Sequence, residues 1–238
     1  MSTADETTEA LEARLAEVRA KRGYLLAHHG LMALAFPKLL AGYDAAYTAL
    51  ALDDRVLSHH DREFVWLAVL AATDERVATH HIEKFRAAGG TDAGIGAAFA
   101  AAALAMGAAA FDFAARDWAR QLAPFDPRAA YLDALRRVAP DAPIRLVHLA
   151  GLAVQVCRAR WRPFGWHLEA AYADGVPEDE MAEAISLAMF PGSVPYFVEA
   201  CAEWRRLILD GALPASPRYQ SWARLTGQGG HDEARGAR

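Results

Sequence analysis

The chain is poor in cysteine, with Cys157 and Cys201 the only two in 238 residues. No CxxC pair exists, so neither a disulfide framework nor a zinc-finger spacing is available. Two lone thiols suit a reducing compartment, and each reads first as a small core residue. Absent too are GxGxxG, the phosphate-binding P-loop pattern, GxSxG and HExxH, which removes sequence support for nucleotide binding and for serine or zincin hydrolysis. The alternating apolar pattern of strands is nearly missing. No excess of positive charge exists either: 25 basic and 30 acidic residues leave a net charge of −5 and a pI near 6.0. The chain therefore has no global pull toward nucleic acid or an anionic membrane, and no basic stripe marks a nucleic-acid reader. The polar, acidic start Met1–Glu9 lacks the basic-then-apolar pattern of a secretory signal, and the expected location is the cytoplasm.

Apolar residues, by contrast, are abundant: 54% of the chain, with 23% charged, an ordinary globular balance with ample length for a core. Gly94–Phe111 carries no charge, but it is mostly Ala and Gly, which transfer weakly into hydrocarbon. It is expected to pack against other helices and not to span a membrane. Leu11, Leu15 and Val18 recur at helical spacing in Glu6–Arg22, with Thr7 or Thr8 as the cap. Gly23 and Gly30 then break or bend the pattern. Further helices are expected near Pro37–Ala51, Asp61–Ala72 behind Ser58, Glu75–Ala88 ending at Gly89-Gly90, and from Thr91-Asp92 to a break at Met106-Gly107. Beyond the prolines at 124, 127, 140 and 143 come helices near Arg128–Val138, Ile144–Val156, Arg162–Asp174, Glu178–Met189 and Tyr196–Leu209. The Gly-rich tail from Gly227 is expected to be frayed.

An internal repeat organises this pattern. Leu67-Ala68-Val69 is followed by His81 and then Gly89; Leu152-Ala153-Val154 is followed by His167 and then Gly175. Each histidine precedes its glycine by the same interval. Downstream, Thr91-Asp92 matches Pro177-Glu178, and Met106-Gly107 matches Phe190-Pro191-Gly192. The period is too long for a solenoid, so two copies of one small helical unit are expected to pack with pseudo-twofold symmetry. The expected division is an N-terminal helical extension over 1–34, a first repeat over 35–122, a second over 123–212 and a tail over 213–238.

Arg62-Glu63-Phe-Val-Trp-Leu-Ala-Val with His80-His81 and Arg86-Ala-Ala-Gly89, and then Trp166-His167-Leu-Glu-Ala-Ala-Tyr-Ala-Asp-Gly175 with Phe190-Pro-Gly, resemble the core of the carboxymuconolactone decarboxylase and alkylhydroperoxidase-D-like superfamily. The resemblance covers roughly residues 35–210. It implies an all-α helical bundle of two tandem repeats, and a homo-oligomer, either a trimer of two-repeat chains or a hexamer. In the peroxidase-like branch a cysteine pair precedes the histidine; those positions fall at Asp74 and Val77, and at Arg160 and Pro163, none of them cysteine. Thiol chemistry needs a thiolate, so the peroxidase-type antioxidant reading loses its basis. The decarboxylase branch keeps the histidine without the cysteines. Its name reaction, 4-carboxymuconolactone to an enol lactone and carbon dioxide, needs no metal or organic cofactor.

The resemblance implies His81 and His167 as acid–base groups, with Glu63 four residues before Leu67 and His148 in the equivalent place of the second repeat. Histidine suits proton delivery near neutrality, and arginine suits a carboxylate substrate. Arg76 in the first link, and Arg160 and Arg162 in the second, are candidate carboxylate ligands, with Trp166 and His80 beside them. Each also has a plainer reading. His81 and His167 fit core histidines, Glu63 fits a helix N-terminus, and the arginines fit a solvated face. The adjacent pairs His28-His29, His59-His60 and His80-His81 are poorly spaced for one metal ion, and none is expected. The chain thus reads as a cofactor-independent lyase or isomerase on a small unsaturated carboxylate. The alternatives are an alkylhydroperoxidase-like antioxidant protein and a ligand-binding oligomer that has lost catalysis.

Overall fold

The structure, a computed structural model, describes residues 8–236, and among them there is no β-strand. The chain divides into two compact units, Met1–Asp53 and Asp54–Arg238. The first holds α1 (Thr8–Arg22), α2 (Ala27–Ala35) and α3 (Pro37–Tyr47), closed by a π-helical turn at Thr48–Leu52. Val18, Ala33 and Leu40 form its centre, with Leu11, Leu15, Leu25 and Met32 packed around them. The apolar stripe of α1 therefore faces α2 and α3. Lys21 and Arg22 clasp the buried carboxylate of Asp44 at 2.9 and 3.0 Å. Of the two expected caps, Thr7 lies outside the described residues.

The second unit runs α4 (His59–Ala72), α5 (His80–Ala87), α6 (Asp92–Asp117), α7 (Ala119–Leu122), α8 (Pro127–Val138), α9 (Ile144–Cys157), α10 (Trp161–Ala173), α11 (Glu178–Ser186), a 3-10 turn at Leu187–Met189, α12 (Val194–Leu209), α13 (Pro217–Arg224) and α14 (Gly230–Ala234). Short polar residues open several of them. Ser58 Oγ accepts from the Asp61 N–H, Thr91 Oγ1 from Gly94 N–H, and the Asp126 carboxylate from the Arg128 and Ala129 N–H groups. Each satisfies a donor that the first turn leaves open.

The centre is a pair of helices, α4 and α9, buried on every side from residue 62 to 70 and from 146 to 157. Such all-round burial explains why their sequences are apolar on more than one face. The Ala-rich face of α6 lies across both, and the small side chains let the backbones approach closely. On the outside, α5 packs on α4, α10 and α11 on α9, and α8 on α6. Polar contacts fasten the ends. Arg145 of α9 bridges Asp61 of α4 and Glu180 of α11. The buried Glu183 carboxylate accepts from the backbone N–H groups of Val56 and Leu57 at 2.7 and 2.8 Å.

Four sequence expectations are corrected. The helix expected from Glu75 begins only at His80, because Asp74 takes a left-handed φ of 54° and Glu75 turns back to cap Val77 N–H. The break expected at Met106-Gly107 does not occur. There α6 continues to Asp117, held by packing of Ala101, Ala102, Ala105 and Ala108 that outweighs the glycine. Gly30 lies inside α2, and a helical turn, α14, occurs in the tail expected to fray. Among the described residues α6 alone is long and apolar enough to cross a membrane; one face is packed as in the core helix of a soluble bundle.

Candidate functional site

Two helix pairs carry the histidines, and their first helices end alike, although seven residues link α4 to α5 and three link α9 to α10. Helix α4 ends with Thr73 N–H on Val69 O and Glu75 N–H on Leu70 O; α9 ends with Arg158 N–H on Val154 O and Arg160 N–H on Gln155 O. Between them sit the only described non-glycine residues with positive φ, Asp74 at 54° and Ala159 at 49°. The second helices close alike, through Gly89 and Gly175 at φ of 89° and 73°. A left-handed residue after each helix lets the chain reverse while the last carbonyls keep partners. His81 and His167 therefore point from the outer helix back toward α4 and α9.

Around His81 the partner is a carboxylate. Its Nδ1–H donates to Glu63 Oε2 at 2.5 Å, with the two residues 3% and 2% exposed. The bond spans 18 residues and joins α5 to α4. A carboxylate on Nδ1 fixes the tautomer and leaves Nε2 as the nitrogen that can exchange a proton. The Trp66 ring lies 4.8 Å from His81, and its buried Nε1–H has no acceptor among the described residues. His80 packs on His81 at 4.3 Å, and burial together with its neighbours His81 and Lys84 lowers it to about 4. A cleft of about 380 Å³ opens along the same two helices, lined by Leu67, Leu70, Arg76, Thr79, Ile82 and Phe99, among others. Arg76 shares that cleft with Asp74 and Glu75, and His81 lies behind its wall and not in its lining.

Around His167 the partners are neutral. Its Nε2 shares a 2.6 Å hydrogen bond with the Tyr131 hydroxyl of α8, and Nδ1 is buried without a partner among the described residues. Burial, helped by nearby His148, pushes the ring down to about 3. Burial likewise raises the Tyr131 phenol. The ring lies flat on α9: a Cβ at Gly151 would come within 2.1 Å of His167 Cε1. His148 does not bond His167; its Nε2–H donates to Asp174 Oδ2 at 2.7 Å. Burial disfavours the Asp174 carboxylate, but Arg136 and His148 outweigh it and hold the group below its usual range.

The remaining candidates disperse. Arg162 reaches Asp112 at 3.3 Å, Arg160 stands exposed just before α10 without a capping bond from its side chain, and Trp166 is buried with Ala108 and Tyr131. Sequence reasoning missed Tyr131, Trp66 and Asp174. Asp174 had a signal, its place just before Gly175, whereas Tyr131 comes from a distant helix and had none. Burial pushes the free thiols Cys157 and Cys201 up to about 12 and 11, so neither is a ready thiolate. Among the described residues no three His, Cys, Asp or Glu side chains gather around a point where a metal could sit.

Comparison with curated proteins and with solved structures returns no match. The model of the carboxymuconolactone decarboxylase family does match, over residues 37–121. That stretch runs from α3 to beyond α6 and contains Glu63, Arg76, His80 and His81, while His148, Arg160, Arg162, Trp166 and His167 lie past it. Over residues 37–121, about a third of the chain, the sequence is thus similar to the carboxymuconolactone decarboxylase family.

Proposed function

We propose that the chain is a cofactor-independent lyase or isomerase of a small unsaturated or lactone carboxylic acid, working at the first histidine only. The observation that carries this reading is the buried Glu63–His81 bond. A carboxylate behind Nδ1 supports the imidazolium that forms when Nε2 takes a proton, and so suits His81 to move a proton on and off carbon. In a decarboxylation the C–C bond electrons pass into the unsaturated lactone as carbon dioxide leaves, and His81 returns a proton to the resulting dienolate. Arg76 holds a carboxylate in the adjoining cleft, and the Trp66 Nε1–H donates to a substrate oxygen. On this reading the two helix–turn–helix segments are copies of one unit, His167 is a structural relic, and the protein works in the cytoplasm.

The test is carbon dioxide release from 4-carboxymuconolactone. Glu63→Gln is expected to lower turnover by about 100-fold. Trp66→Phe lowers it by about tenfold, consistent with loss of one donor, and Arg76→Ala raises KM more than it changes kcat. Unchanged kinetics in Glu63→Gln would refute the site. A second reading, a ligand-binding protein without catalysis, is favoured by one fact: both histidine rings are almost wholly enclosed. Absence of turnover by the unaltered chain, with saturable carboxylate binding lost in Arg76→Ala, would select it.

A further inference from the structure

Helix α13 is fastened to the bundle by polar contacts at its first turn and carries aromatic rings beyond it. Ser216 Oγ caps the turn by accepting from the Tyr219 N–H, and the Ser216 N–H donates to Glu178 Oε1 at 2.9 Å. The Tyr219 hydroxyl and the Arg218 guanidinium each donate to the Asp179 carboxylate at 2.7 Å. Glu178 and Asp179 stand in the first turn of α11, so these bonds clip α13 to the start of that helix. A pocket of about 320 Å³ remains between α11, α12 and α13, within the range of small-molecule sites. None of Glu63, Arg76 and His81 lines it.

The walls of this pocket are aromatic. Trp204 of α12 and Tyr219 of α13 are stacked, with centroids 5.3 Å apart and planes at 28°. Trp222 stands across both, 6.0 Å from each and at 75° and 79° to them. A flat ring entering this corner lies parallel to one wall and meets the other edge-on, the two arrangements that aromatic pairs prefer. Phe197 and Ile185 add further apolar lining. The polar groups of the walls are already engaged: the Trp204 Nε1–H donates to the Tyr172 hydroxyl, and the Tyr219 hydroxyl to Asp179. Burial keeps the Cys201 thiol neutral. The interior therefore offers apolar surface without charge.

The mouth differs. Arg218 is the one charged residue of the lining, and its guanidinium lies over the Tyr219 ring, 5.9 Å from the centroid. Its side chain is 77% exposed, and only Nη1 is taken by Asp179. The rest of the guanidinium fork can hold a second carboxylate without breaking that pair.

We propose that this pocket binds a small planar aromatic carboxylic acid, with its ring in the corner of Trp204, Tyr219 and Trp222 and its carboxylate on Arg218. A neutral ring would leave the cation at the mouth unused, and an aliphatic acid would leave the aromatic corner unused. The site shares no residue with the cleft beside His81, so it stands or falls without reference to turnover there.

Equilibrium dialysis of the full chain against 2-naphthoate tests the proposal. Saturable binding is expected with a Kd below about 1 mM. The neutral 2-naphthamide is expected to bind about tenfold more weakly. Arg218→Gln weakens 2-naphthoate by about tenfold and leaves 2-naphthamide unchanged. Trp222→Leu weakens both by about tenfold, with circular dichroism as the control for the fold. Arg218 is exposed, so its replacement decides the matter even if Trp222→Leu fails to fold. No saturable binding, or equal affinity for acid and amide, would overturn the proposal. So would an Arg218→Gln chain that binds 2-naphthoate unchanged or loses acid and amide alike, or a folded Trp222→Leu chain that binds both as before.

Discussion

His81 and His167 each stand eight residues before the left-handed glycine that closes their helix, and they are wired in opposite ways. The first bonds a buried carboxylate brought by its neighbour helix α4; the second bonds a phenol brought by α8, a helix outside its own pair. The residues beneath them differ accordingly. Trp66 of α4 packs its ring against His81, whereas in α9 Gly151 lets the His167 ring settle onto the backbone. One buried histidine has thus been kept polar and paired with charge, and the other has been absorbed into the core as a neutral group. Both helix pairs close through a left-handed residue and a glycine; on the proposed reading, the partner of each imidazole separates an acid–base group from a packing group.

The broadest way to break this comparison is pH. His167 is held at about 3 in the folded chain, below the ordinary value near 6.5, so the unfolded chain binds its proton first. Its contribution to stability is complete above about pH 6.5 and is lost as pH falls toward 3. His148, also lowered by burial against the opposing pull of Asp174, adds to the same trend. Urea unfolding between pH 7 and 4 is expected to show the loss, and His167→Gln to flatten it.

Next in size are the residues under the rings. Trp66→Ala empties a large buried side chain and is expected to cost about 4 kcal/mol. Gly151→Ala drives a methyl into the His167 ring and is expected to cost about 3 kcal/mol. Equal tolerance of alanine at both places would mean that the two pockets are built alike. Tyr131→Phe leaves His167 without its partner and is expected to cost about 2 kcal/mol, measured by the same titration.

Much of this frame was legible in the sequence. Ser58, Thr91, Gly89 and Gly175 act at the helix ends where their chemistry predicts. The Glu63–His81 pairing was within reach, because Glu63 lies four residues before the triplet that precedes His81. Two things were not legible. The start of α5 at His80 depends on the left-handed turn at Asp74, and aspartate announces that conformation less clearly than glycine does. The Tyr131 contact to His167 joins residues 36 positions apart, and no local pattern encodes which phenol meets which imidazole.

The smallest effect sharpens the comparison at the turns. Ala159 bears its left-handed φ of 49° without the side-chain tolerance of aspartate, so Ala159→Gly is expected to stabilise by about 1 kcal/mol. Asp74→Gly should gain less, and both are read as a shift in the urea midpoint.

The most direct test compares His81→Ala with His167→Ala for carbon dioxide release from 4-carboxymuconolactone and for thermal unfolding. The account predicts that His81→Ala lowers turnover by about 100-fold in a chain that still folds, while His167→Ala lowers the melting temperature and keeps turnover per folded molecule. Loss of turnover in His167→Ala with none in His81→Ala would contradict it.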